Sequence, residues 1–195
     1  MMDTVCHEIF YVQSTLADEA LGVYIGWPAR EGSFGEGMPL RNEKGDVALI
    51  FSGEEFPESG TNQRLRAQGH VLDKTAASYL VHLYEDDPSF PAGLNGRFHG
   101  LTIDRNRRSA VLFNDRYSMH RIYYHESKHA FYFAAEAKAI LAVCPELRRT
   151  DPRGFGEFVA CGSVLENRTI FDGIQVLPPA SAWVFRNGTL ERNSS

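Results

Sequence analysis

Residues Asp46–Glu55 read DVALIFSGEE, with a near-continuous apolar run from Val47 to Phe51. An uninterrupted run of this length is typical of a strand that is buried on both faces of a sheet. The run stops abruptly at Ser52-Gly53-Glu54-Glu55, so the sequence predicts that the strand ends in a polar segment.

The segments on either side of this strand predict helices and strands in separate blocks. Apolar spacing, turn residues and caps predict strands at 9–12, 20–27 (stopped by Pro28), 97–104, 109–113, 121–125, 130–133, 169–171 and 182–185. The same signals predict helices from 73 or 75 to about 86, over 136–143 and over 151–161, with loop over 57–70 and weak patterning over 1–19. Blocks of this kind favour the α+β class over a parallel α/β sheet.

Composition restricts the class of protein. The chain has 195 residues, 43% of them hydrophobic, and a formal charge of −5 from 25 acidic and 20 basic residues. We therefore expect one globular domain over 1–195, with no nucleic-acid partner and no membrane span. Three cysteines are an odd number, which favours reduced thiols and a cytoplasmic location.

A series of short motifs follows in an order that resembles one family. The motifs are PLRNE (39–43), IFSGE (50–54), GH (69–70), HLYE (82–85), LNGRF (94–98), NDRY (114–117), IYY (122–124), FAAEAKA (133–139), RTIFDGI (168–174) and LPP (177–179). Together they resemble the N-terminal glutaminase domain of glutamine-hydrolysing asparagine synthetase, a class II glutamine amidotransferase. The resemblance implies an N-terminal nucleophile (Ntn) hydrolase-like four-layer αββα sandwich with two mostly antiparallel sheets.

The resemblance also implies a catalytic cysteine at the start of the mature chain. Its thiolate attacks the side-chain amide of glutamine, and its own α-amine acts as the base. This chain begins Met1-Met2-Asp3, so that position holds no cysteine. Cys6 is the one candidate, and it would need cleavage of the Val5–Cys6 bond. We expect it to be a bystander.

The other pocket residues implied by the resemblance are largely altered. Ser52 aligns with the oxyanion-hole asparagine, whereas Gly53 and Glu54 are retained. Ala76 aligns with the aspartate that holds the substrate ammonium group. The arginine that holds the substrate carboxylate falls near Ile25 or Arg30, and neither is convincing. We therefore predict an inactive glutaminase with an oxyanion-hole remnant, Ser52 and Gly53, and a substrate-pocket remnant, Glu54 and Ala76.

We expect no metal and no cofactor. The histidines of the second hairpin, His120, His125 and His129, permit a surface metal site but are better explained as ordinary hairpin residues. Cys144 and Cys161 are expected to be core thiols. The ATP-pyrophosphatase loop of the family has no counterpart in the chain.

The leading hypothesis is a structural or docking module for an ATP-dependent, asparagine synthetase-type domain, with that domain or a second copy of the chain as partner. The alternative is an active glutamine amidohydrolase, an ammonia donor for asparagine synthesis matured by cleavage before Cys6; only then is glutamine a ligand. A third hypothesis is a free-standing protein that binds another small amide or amino acid.

Overall fold

The computed structural model describes residues 1–7, 11–34, 37–73, 75, 77–87 and 89–194. The chain divides into two compact units. The first unit contains Met1–Ile9 and Arg121–Pro178, and the second contains Phe10–His120 and Pro179–Ser195. The expectation of a single domain over 1–195 stays a prediction.

The strands of the described residues are β1 (Tyr11–Asp18), β2 (Val23–Arg30), β3 (Leu40–Arg41), β4 (Val47–Glu55), β5 (Gly96–Asp104), β6 (Ser109–Asn114), β7 (Tyr123–Glu126), β8 (Phe131–Ala134), β9 (Gln175–Val176), β10 (Ser181–Arg186) and β11 (Thr189–Ser194). The α-helices are α1 (Met2–Val5), α2 (Thr61–Ala67), α3 (Tyr79–Asp86), α4 (Ala137–Val143) and α5 (Pro152–Cys161), and a 3₁₀ helix spans Pro145–Leu147.

The second unit is built on a six-stranded antiparallel sheet with the strand order β11-β10-β6-β5-β4-β3. The apolar run of β4 lies inside this sheet, paired with β3 and β5, and all five residues Val47–Phe51 are buried. Helix α3 contacts β4 and buries six consecutive residues, Tyr79–Tyr84. The predicted interior strand and the predicted hairpin of β5 and β6 are therefore confirmed.

Three expectations for the second unit were wrong. The helix predicted from 73 or 75 begins at Tyr79, with Ser78 as its N-cap. The segment 57–70 was expected to be loop, but it contains α2, which is anchored by buried Leu65. Pro28 does not stop the preceding strand, because β2 continues to Arg30; within the described part of the chain, β1 is its one strand partner. A two-stranded ribbon has free edges, where a residue without an N–H is tolerated.

The first unit contains a three-stranded antiparallel sheet with the order β8-β7-β9. Its core is a cluster of apolar side chains from α4 and the segments that follow it: Ile140, Leu141, Cys144, Leu147 and Ile174. The predicted strand at 169–171 is only an isolated bridge between Thr150 and Phe171.

Helix α5 begins and ends where its sequence predicts. The Asp151 carboxylate accepts a hydrogen bond from the Arg153 N–H at 3.1 Å, and the helix ends before Gly162. Cys161, expected in the core, is exposed at the end of α5, whereas Cys144 is buried as expected. Among the described residues, no helix has the length and apolar character that crossing a membrane requires.

Candidate functional site

The end of β4, Ser52–Glu55, holds the residues aligned with the oxyanion hole. Gly53 lies opposite Phe98 of β5 and has a φ of +112°, a region that L side chains rarely adopt. A Cβ atom on Gly53 would lie 2.1 Å from the main-chain oxygen of Arg97. The close approach of the two strands therefore requires glycine at this position, whatever else the site does.

Ser52 and Glu54 are exposed at the end of β4, beyond its buried run. The Glu54 carboxylate is 3.7 Å from the Arg97 guanidinium, and both side chains are more than half exposed. An exposed ion pair of this kind contributes little free energy. The retained Glu54 is thus a surface residue that pairs with an arginine of the neighbouring strand.

Glu55, the next residue, is buried. The Tyr79 hydroxyl of α3 donates to its Oε2, and the Asn95 N–H donates to its Oε1 at 3.4 Å. Burial raises the pKa of the Glu55 carboxyl, although the Tyr79 hydrogen bond opposes that shift. Burial and the neighbouring carboxylate also raise the pKa of Tyr79. Sequence reasoning missed this pair, because its members are far apart in the chain.

Asp115 follows β6 and organises the turn after it. It is almost fully buried, and its carboxylate accepts from the N–H groups of Phe98, Tyr117, Met119 and His120 at 2.9–3.2 Å. An acceptor with this many main-chain donors holds a turn in one conformation.

The remaining predicted site residues are separate from this strand end in the chain. Cys6 ends α1 in the first unit, and its main-chain N–H donates to the Met2 oxygen at 3.2 Å. Ala76 lies outside the described residues. Of the predicted site residues, Ser52, Gly53 and Glu54 are the three that lie together, since they are consecutive at the end of β4.

A second polar region of the same unit was not predicted. A cavity of about 200 Å³ is lined by residues on either side of β3 and by residues before and within α3: Leu40, Arg41, Asn42, Glu43, Val71, Asp73, Ser78 and His82. Beside it, one ligand atom each from Glu43, His70, His82 and Glu85 lie within 4.8 Å of one another. Imidazole and carboxylate groups in such a set are able to hold a divalent metal ion.

The hairpin histidines have other contacts. His125 of β7 places its Nδ1 2.8 Å from the Gly173 oxygen and stacks on Tyr132. His129 lies exposed in the hairpin turn.

Comparison of the sequence with known proteins identifies its family. Residues 33–194 match the family model described as "Glutamine amidotransferase domain". The chain is similar to asparagine synthetase (glutamine-hydrolyzing) 3 of Bacillus subtilis (strain 168), with 32% identity over 146 residues, which are 73% of this chain and 24% of that protein. It is also similar to asparagine synthetase (glutamine-hydrolyzing) 2 of the same organism, with 28% identity over 107 residues, 54% of this chain and 14% of that protein. The matches thus span a quarter or less of these relatives.

Solved structures show the fold. The glutamine phosphoribosylpyrophosphate amidotransferase from B. subtilis complexed with ADP and GMP superposes with a TM-score of 0.56 at 14% identity, over 87% of this chain and 34% of the other. The structure of the allosteric regulatory enzyme of purine biosynthesis superposes with the same TM-score, identity and coverage. At this identity the likeness concerns the fold alone, and it confirms the predicted α+β, Ntn hydrolase-like class.

Proposed function

Because the chain belongs to the glutamine amidotransferase domain family, we propose that it is a domain of the asparagine synthetase type that lacks glutaminase activity. In this proposal it acts as a structural or docking module for an ATP-dependent, asparagine synthetase-type domain.

The main-chain nitrogen of Cys6 carries the first half of the proposal. While Val5 remains attached, this nitrogen is a peptide nitrogen whose N–H donates to the Met2 oxygen, and it cannot act as the free α-amine base beside the thiol. Cys6 also precedes the residues that match the family model, 33–194. Of the other two cysteines, Cys144 is buried, which raises the pKa of its thiol, and Cys161 lies at the end of α5.

The end of β4 supports the same conclusion. A serine hydroxyl at position 52 is shorter than a carboxamide, so a hydrogen-bond donor there falls short of the oxyanion that an asparagine would reach.

Helix α5 supports the docking role. Phe155, Phe158 and Val159 are each more than half exposed, and Gly154 is the one buried residue of the helix. Exposed apolar side chains grouped on one helix are typical of a surface that another protein covers. Since the related synthetases are much longer than the matched segment, a synthetase-type domain is the partner that we propose for this surface.

The test of inactivity is ammonia release from glutamine by the purified full chain. We expect no release above the no-enzyme background, and the same for Cys6→Ser. Mass spectrometry of the same preparation identifies the N-terminal residue of the chain. Release that is abolished by Cys6→Ser, together with a chain that starts at Cys6, would establish the active amidohydrolase instead.

The test of docking is co-expression with an ATP-binding synthetase-type domain from the same genome, followed by gel filtration with light scattering. We expect a complex that is lost when Phe155→Ser and Phe158→Ser are combined. Val12→Ser, at an exposed apolar position of β1, serves as the matched control and should leave the complex intact. Self-association without a complex would support the second copy as partner and contradict the synthetase-type domain.

A further inference from the structure

The four side chains beside the cavity come from three segments of the second unit. Glu43 follows β3, His70 follows α2, and His82 and Glu85 lie one turn apart on α3. Glu43 lies in the short turn between β3 and β4, and His70 lies three residues after the end of α2, so neither is placed by a long loop.

The facing nitrogen and oxygen atoms of the four side chains lie close together. His82 Nδ1 is 3.3 Å from Glu85 Oε2 and 3.7 Å from Glu43 Oε2, and His70 Nδ1 is 3.5 Å from Glu43 Oε1. Direct N–H···O hydrogen bonds have a mode near ~2.9 Å. Ligand atoms that bind zinc tetrahedrally at ~2.1 Å lie roughly 3.4 Å from one another. One ligand atom from each of the four residues lies within 4.8 Å of the others, so small side-chain movements would bring all four to a common ion.

The groups behind these ligands hold them in the required orientation. Asp86 Oδ2 lies 2.9 Å from His70 Nε2, so an N–H on Nε2 leaves the Nδ1 lone pair directed toward Glu43. Asn42 Nδ2 donates to Glu85 Oε1 at 2.8 Å, which leaves Oε2 toward His82. The Val71 N–H donates to Glu43 Oε1 at 2.8 Å.

Burial and charge at the cluster are compatible with a cation. The His82 side chain is 3% exposed to solvent. Glu43 and His82 also line the cavity, and the cavity gives an ion a route to the cluster. Glu43 and Glu85 are the two acidic side chains of the cluster, and carboxylates at this position would offset the charge of a divalent cation.

We propose that Glu43, His70, His82 and Glu85 form a binding site for a divalent transition metal ion of the zinc class. The bound ion links the segment after β3, the end of α2 and helix α3. Neutral imidazole nitrogens and carboxylate oxygens favour zinc-type ions over magnesium and calcium, which prefer oxygen ligands alone. The site is independent of the proposed function, since it uses none of the residues on which that proposal rests.

The probe is zinc chloride, added to the full chain after removal of metal with a chelator and dialysis. We expect one zinc ion per chain by elemental analysis, and a rise in Tm on addition of zinc that magnesium chloride does not give. Cobalt chloride should give the intense visible bands of tetrahedral Co²⁺.

Substitutions locate the ion. Glu43→Gln, at an accessible position, and His82→Ala should each abolish the stoichiometric ion. Asp86→Asn, which affects only the orientation of His70, should weaken binding roughly tenfold to a hundredfold. The combined control His125→Ala with His129→Ala removes two histidines outside the site and should leave binding unchanged.

Absence of zinc binding in the parent chain would overturn the proposal. So would stoichiometric zinc binding that survives Glu43→Gln, or loss of zinc binding in the hairpin control. If His82→Ala does not fold, Glu43→Gln still decides the outcome.

Discussion

Two neighbouring residues at the end of β4 have opposite environments. Glu54 extends into solvent and pairs with Arg97 at 3.7 Å, whereas Glu55 is buried and accepts hydrogen bonds from Tyr79 and Asn95. Glu54 is the residue that the family resemblance singles out, and Glu55 is the one that the second unit uses to join β4 to α3. The presence of one motif residue therefore does not show that the other residues of a substrate pocket surround it.

The largest effect is expected at Gly53, which holds both glutamates in place. Gly53→Ala should lower the free energy of unfolding by roughly 3 kcal/mol, because the new Cβ would meet the Arg97 oxygen in a backbone conformation that alanine disfavours. Urea denaturation measures the change. Gly69→Ala is the matched control, with a φ of +101° and no atom within 4 Å of the new Cβ. It should cost only about 1 kcal/mol. Equal losses in the two variants would show that the contact with β5 does not matter.

The hydrogen bond on the buried side comes next. Tyr79→Phe should lower the free energy of unfolding by about 2 kcal/mol, since it leaves a buried carboxyl oxygen without its donor. Tyr24→Phe removes a hydroxyl from an exposed tyrosine and should change the stability by less than about 0.5 kcal/mol. Both changes in the free energy of unfolding are measured by urea denaturation. A Tyr79→Phe variant as stable as the parent would contradict a stabilising hydrogen bond between Tyr79 and Glu55.

The pH dependence distinguishes the two glutamates directly. The pKa of Glu55 is raised above its ordinary value of 4.5 in the folded chain, so the folded state holds this proton at pH values where the unfolded state has lost it. The free energy of unfolding should therefore fall as pH rises from 4.5 through the folded-state pKa, by at most about 1.4 kcal/mol per pH unit. Glu55→Gln should lack this component of the slope, and Glu54→Gln should keep it. The measurement is stability in urea across that pH range, and a slope unchanged in Glu55→Gln would exclude the assignment.

The smallest effect is expected on the exposed face. Glu54→Gln should change the free energy of unfolding by less than about 0.5 kcal/mol, because an exposed ion pair contributes little. A loss above 1 kcal/mol would mean that Glu54 has a role beyond its contact with Arg97.

Local signals in the sequence predicted much of the fold. The apolar run of β4, the hairpin of β5 and β6, and the Asp151-Pro152 start of α5 each depend on neighbours in the chain, so their residues were sufficient. Helix α2 was missed because TNQRLRA is mostly polar and lacks a capping side chain; burial of Leu65 against the rest of the unit stabilises it.

The candidate sites were much harder to predict from the sequence, because most of their contacts form only in the folded chain. Ser52, Gly53 and Glu54 were found through the family resemblance, but their exposure and the close approach at Gly53 were not visible in the sequence. The pair of Glu55 and Tyr79 joins a strand to a helix 24 positions later. In the metal-binding cluster, the one local signal was the spacing of His82 and Glu85 on α3.

The strand order of the six-stranded sheet also governs how the nascent chain matures. Strand β6 pairs with β5 on one side and with β10 on the other, and the whole segment Arg121–Pro178 is synthesised between β6 and β10. The open side of β6 therefore stays without its strand partner until Ser181–Arg186 have left the ribosome. An unpaired strand edge is a template for association with other chains. The time for which this edge of β6 stays unpaired is thus set by the translation of the segment between these two strands.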